Sequence, residues 1–172
     1  MTEEKKCVLA IDIGIHHFAW VKTVKMEERC RVKGLDCHNF GATPTLTTLY
    51  PKLISYLMTL DYTDVSTVLI EQQMNRMNIR ATKVAVFVHA FFLIRVPHVR
   101  VIEYPAYHKT RKFGVPKMTK QQRKKWSVAY VCANILFDDP VALDWVGTFP
   151  KQDDICDCIM MTTAYFQKNT TQ

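Results

Sequence analysis

Apolar residues run almost unbroken from Cys7 to Ile13, interrupted by one carboxylate at Asp12 and closed by Gly14. A short apolar run with this boundary reads as a buried strand. Phe18–Lys25 alternates loosely and predicts a second strand. Cys30–Phe40 predicts a weaker third, bounded by the polar Met26–Arg29 turn and by Gly41. Leu46, Leu49, Leu53, Ile54 and Leu57 recur at helical spacing within Thr43–Leu60, with Pro44 near the start. Val65–Glu71 predicts a fourth strand. Asn78–Arg95 predicts a helix, and Val99–Tyr104 a fifth strand stopped by Pro105. A helix over Thr119–Phe137, a connector through Asp138–Phe149 and a last helix over Asp153–Gln167 complete the order.

Three consecutive strands suggest an antiparallel meander. Strands separated by helices suggest parallel crossover units. The expected class is α/β: one domain over residues 1–172, with a mixed five-stranded sheet covered by helices on both faces. In that order the first strand can pair with the fourth.

Composition narrows the picture. The chain has 172 residues, 48% hydrophobic and 23% charged, with a net charge of +7. Such a balance suits a core-forming domain with a polyanionic partner. The charged start Met1–Lys6 and the short apolar run after it do not read as a signal peptide. The apolar stretch Val84–Ile94 contains His89 and is too short to span a bilayer. A soluble intracellular protein is expected. None of the six cysteines forms a C-x-x-C pair, so they read as small buried hydrophobes. The spacing of Cys30, Cys37 and His38 fits no common zinc site. The His16-His17 pair reads as loop rather than ligand.

Against this background four acids stand out: Asp12, Glu71, Asp154 and Asp157. A carboxylate on a buried strand is unfavourable unless it is paired or holds a cation. Asp12 and Glu71 would lie on central strands. Asp154 and Asp157 share one face of the last helix through their i, i+3 spacing. Gly14 allows close backbone approach where the first strand ends. Hard oxygen donors select Mg²⁺, with Mn²⁺ as a substitute, over zinc. Two such ions about 3.5–4 Å apart suit phosphodiester hydrolysis. Each acid also has a plainer explanation. Asp153 and Asp154 fit the first turn of a helix, favoured by its dipole. Asp157 and Glu71 could be solvated.

The stretch His108–Lys125 holds Lys109, Arg111, Lys112, Lys117, Lys120, Arg123, Lys124 and Lys125 and no acid. Tyr104, Tyr107, His108, Phe113 and Trp126 are interleaved with or flank it. Lysine and arginine neutralise phosphates, and aromatics stack on unpaired bases, so nucleic acid is the expected partner. A charge run can also be a merely solvated face. The helix through Val84, Val88, Phe91 and Phe92 is apolar all round, where a surface helix keeps one polar face. These four residues are therefore expected at a two-fold dimer interface, the alternative being a helix enclosed by its own chain.

The segments Ile11-Asp12-Ile13-Gly14, Glu71-Gln72, Lys124-Lys125-Trp126 and Lys151-Gln152-Asp153-Asp154-Ile155-Cys156-Asp157 resemble the RuvC-type Holliday-junction resolvases, above all those of poxviruses. The resemblance covers about residues 6 to 167. It implies an RNase H-like fold and a homodimeric Mg²⁺-dependent endonuclease that nicks four-way DNA junctions symmetrically. For the poxvirus group it further implies resolution of linked viral genomes in the host cytoplasm. By the same resemblance, Asp12, Glu71, Asp154 and Asp157 hold two metal ions. Lys124 fits a catalytic lysine of the family, with Lys125 and Lys120 as alternatives. Met74 falls where bacterial members carry a junction-wedging aromatic, Asn78 falls on an asparagine of theirs, and Arg76 and Arg80 follow as DNA contacts. Rival readings are an RNase H-like nuclease acting on hybrid or structured RNA, a junction-binding protein without catalysis, and a sugar-kinase-like ATPase. The chain is too short for the second lobe of the last.

Overall fold

The structure is a computed structural model that describes residues 7–27, 29–42, 45–73 and 78–168. The strands are β1 (Cys7–Ile13), β2 (His17–Lys25), β3 (Cys30–Asn39), β4 (Val65–Glu71) and β5 (Arg100–Tyr104). They form one sheet in the order β3-β2-β1-β4-β5. β1 pairs antiparallel with β2, and β2 with β3. β1 pairs parallel with β4, and β4 with β5. The meander and the crossover units stand as expected, and the first strand does pair with the fourth. The turn after β1 needs Gly14: a Cβ there would lie 2.1 Å from the carbonyl oxygen of His17.

Six α-helices are described: α1 (Leu46–Leu57), α2 (Ile79–Arg95), α3 (Ala106–Lys112), α4 (Lys120–Tyr130), α5 (Pro140–Gly147) and α6 (Gln152–Lys168). Asn78 caps α2 through its side chain, which accepts from the backbone N–H of Ala81. Thr119 and Gln122 form a reciprocal capping box at α4. Two helices, α3 and α5, arise where the sequence pattern predicted none. α3 has seven residues and reads only as charge. α5 lies in what reads as a connector, started by Asp139 and Pro140 at its cap and first turn. The expected Thr119–Phe137 helix stops at Tyr130 and continues as a π-helical turn over Val131–Ile135.

Side chains alternate across the sheet and divide the core in two. Val8 and Ala10 of β1, Ala19 and Val21 of β2 and Leu69 of β4 pack beneath α6. Leu9, Ile11, Ile13, Val68 and Ile70 face the layer made by α1 and α2. On α2, Val84, Val88, Phe91 and Phe92 belong to this second core, at 7% exposure or less. This corrects the interface expected at those four residues: they are enclosed by their own chain. The outward side of the same helix carries other apolar residues, namely Ile79, Val86, Leu93 and Ile94, each about 59–74% exposed. Among the described residues, no helix is long and apolar enough to cross a membrane.

Candidate active site

The parity that places Val8 and Ala10 beneath α6 also sends Asp12 to that face. Leu69 does the same for Glu71. The register sets Ile11 beside Ile70 on neighbouring parallel strands, so the two acids leave the sheet side by side at one end. α6 crosses the same face, and the Cys158 thiol reaches the carbonyl oxygen of Ala19, the residue paired with Asp12. This lays the first turns of α6, with Asp153, Asp154 and Asp157, over the strand acids.

The electrostatics show how close the acids are. Burial raises the Asp12 carboxyl well above its ordinary value, and the charges of Glu71, Asp157 and Asp154 add to the rise. Burial also raises Asp157, with Glu71 adding to the effect. Asp154 is pushed up to about 6 by burial and then by the charge of Asp153. Burial is the largest influence on Glu71 and would raise it too, but the Lys109 charge, hydrogen bonds with Lys109 and Asp12 and the Arg123 charge together hold it below its ordinary value.

Lys109 is the residue the sequence did not single out. Its place in the basic run predicts a phosphate contact, yet it is buried against two of the acids. Its Nζ lies 2.9 Å from Glu71 Oε1 and 3.2 Å from Asp157 Oδ2. The signal was its position: five residues beyond Tyr104, which pairs with Glu71 across β4 and β5. Reading that signal required the short α3, which turns Lys109 back over the sheet end. Lys124 sits at the rim instead. It donates a hydrogen bond to Asp153 and lies 3.9 Å from Asp154 Oδ1. That hydrogen bond raises the Lys124 ammonium and holds Asp153 low against the effect of burial.

The other basic residues follow the expected surface pattern. Arg111, Lys112, Lys117, Lys120, Arg123 and Lys125 are exposed on α3, α4 and the segment between them. Arg123 is near enough to Glu71 for its charge to lower the carboxyl. Arg80 is exposed in the first turn of α2. Met74 and Arg76 lie outside the described residues. His16 and His17 are half-buried in the turn and at the start of β2. The cysteines are free: Cys7, Cys156 and Cys158 are buried, and Cys30, Cys37 and Cys132 half-buried.

A divalent metal is implied by the resemblance, and the donor chemistry fits it. All four acids offer hard oxygen, and their mutual repulsion is the excess charge a cation relieves. Among the described residues, however, no three acidic, histidine or cysteine side chains already converge as a ready ligand set. Glu71 and Asp157 hold the Lys109 ammonium instead.

No family model matches the chain. It is 39% identical over 105 residues to the uncharacterized protein 97L of Invertebrate iridescent virus 3. The match takes in 60% of this chain and 49% of the relative, so the chain spans about half the length of that protein. Solved structures agree over nearly the whole length. The fowlpox virus resolvase in complex with Holliday junction DNA superposes with a TM-score of 0.70 at 15% identity, over 96% of this chain and 99% of that one. RuvC of Thermus thermophilus gives 0.65 at 13% identity, over 95% and 97%. The fold is therefore the RuvC-like, RNase H-like resolvase fold.

Proposed function

We propose that this chain is a metal-dependent DNA endonuclease that resolves four-way junctions by paired, symmetric nicks. One observation carries the reading: Asp12, Glu71, Asp154 and Asp157 gather at one end of the sheet, beside an exposed basic surface. Fold likeness to a resolvase bound to Holliday junction DNA supports the choice of substrate. A role in separating linked viral genomes in the host cytoplasm belongs to the same proposal, to which the 39% identical relative contributes only its viral source.

In this reading the four acids hold two Mg²⁺ ions, for which Mn²⁺ can substitute. Metal bound there supplies an activated water and stabilises the departing 3′ oxygen. Lys124, tethered by Asp153, offers positive charge to the phosphate at the rim. Arg111, Lys112, Lys117, Lys120, Arg123 and Lys125 grip the junction arms, and Met74, Arg76 and Arg80 are further DNA contacts in this reading. A second copy covers the outward stripe of α2 at Ile79, Val86, Leu93 and Ile94. The resulting two-fold symmetry matches a substrate that needs two equivalent cuts.

The test is direct. Incubation with Mg²⁺ and synthetic junction, fork, duplex and RNA–DNA hybrid should give paired nicks in the junction alone. Preferential cutting of the hybrid would replace the proposed substrate, and binding without cutting by the unmodified chain would remove the catalytic reading.

A further inference from the structure

Lys109 differs from every other basic residue of its segment. It is 7% exposed, whereas Arg111 and Lys112 on the same short helix are exposed. Its ammonium lies against two carboxylates, at 2.9 and 3.2 Å. The attraction of both carboxylates and the short contact to Glu71 hold it there. A buried ammonium is costly unless it is paired, and the carboxylates would repel each other without it. Glu71 and Asp157 are thus already committed to a cation, and that cation is tethered. Four rotatable carbons let lysine move its charge without moving its helix. The Asp157 side chain is 37% exposed, so the cleft is open on that side.

We propose that Lys109 is an internal counter-ion that holds Glu71 and Asp157 in the metal-free protein and competes with divalent metal for them. Complete loading of the site then requires the ammonium to withdraw. The inference rests on the reading of the four acids as a metal site. It gives Lys109 two states: seated between the acids, or released towards the cleft mouth, where a DNA phosphate accepts it. A phosphate that draws the ammonium out frees two carboxylates, so DNA and metal bind each other's form of the site more tightly. The basic segment would then couple substrate to metal loading as well as grip DNA.

The test titrates Mn²⁺ into the 172-residue chain by calorimetry, without DNA. Lys109→Gln should bind Mn²⁺ at least about tenfold tighter, a difference of ~1.4 kcal/mol. It should also melt below the unmodified chain in EDTA and recover with Mn²⁺. Lys109→Arg, which keeps the charge, should bind no tighter than the unmodified chain. A second measurement does not depend on the variant's folding without metal. In the unmodified chain labelled with ¹⁵N-lysine, a solvent-protected Nζ signal should be present in EDTA and vanish as Mg²⁺ saturates. Persistence of that signal at saturation would overturn the proposal. So would Mn²⁺ binding that Asp12→Asn abolishes and Lys109→Gln leaves unchanged. Failure of both the unmodified chain and Lys109→Gln to bind Mn²⁺ saturably would overturn the metal-site reading itself, and this proposal with it.

Discussion

Lys124 on α4 donates a hydrogen bond to Asp153 at the start of α6, which fixes its ammonium at the rim of the acid cluster, 3.9 Å from Asp154. Of the two lysines on the acids, Lys109 is enclosed and Lys124 is 40% exposed in its side chain. Lys124 is therefore the one an incoming phosphate meets without rearrangement. Lys124→Ala should slow single-turnover junction cleavage by about a hundredfold, the loss typical of one charge-stabilising donor. Binding should weaken much less. If affinity and salt slope fall while cleavage at saturation holds, Lys124 only contacts the backbone.

Asp154→Asn should abolish cleavage and leave junction binding intact, because binding rests on the exposed basic residues. The same substitution exposes a pH effect. The Asp154 carboxyl lies at about 6 in the fold against an ordinary 3.8, so between these values the folded state binds more protons than the unfolded one. Its contribution to stability is present below 3.8 and is lost as pH rises to about 6. Chemical denaturation in EDTA should show the unmodified chain losing stability relative to Asp154→Asn across that window, then running parallel to it. A difference that instead grew in favour of the unmodified chain would contradict the crowding of acids described above.

The two sides of α2 should respond oppositely to substitution. Val86→Asp and Leu93→Asp place charge on exposed positions and should give folded, soluble monomers that nick junctions without pairing the cuts. Phe92→Ala empties a fully buried position and should cost ~3–5 kcal/mol, seen as a lowered melting temperature. Sedimentation of the unmodified chain as a monomer at micromolar concentration, with and without junction DNA, would refute the dimer.

Lys117→Ala with Lys120→Ala should weaken junction binding and make the log–log salt slope shallower by about two, one for each lost phosphate contact. Both residues are exposed. Fluorescence anisotropy over a range of KCl concentrations checks this. An unchanged slope would make these lysines a solvated face.

The sheet and the acid set were legible because both depend on short-range pattern. Strand runs show in the period of apolar residues, and Asp12 shows because a carboxylate in such a run needs a reason. The expected pairing of the first strand with the fourth is observed, and its register sets Asp12 and Glu71 on one face. The helices α3 and α5 were illegible for the same physical reason. With seven and eight residues each, they carry too few turns to show a period, and contacts with the rest of the fold hold them.

What the sequence determined by itself is therefore the succession of strands along the chain, the residue types at the cluster and the strong local charge. Tertiary structure decided which face of a uniformly apolar helix is core. It turned Val84, Val88, Phe91 and Phe92 inward and left Ile79, Val86, Leu93 and Ile94 outward. Hydrophobicity cannot choose between faces that are equally apolar; the position of the sheet beneath them does. Tertiary structure also decided which lysine enters the acids. In a run of similar cations, composition makes them equivalent, and only the turn of α3 back over the end of β4 brings Lys109 to Glu71 and Asp157.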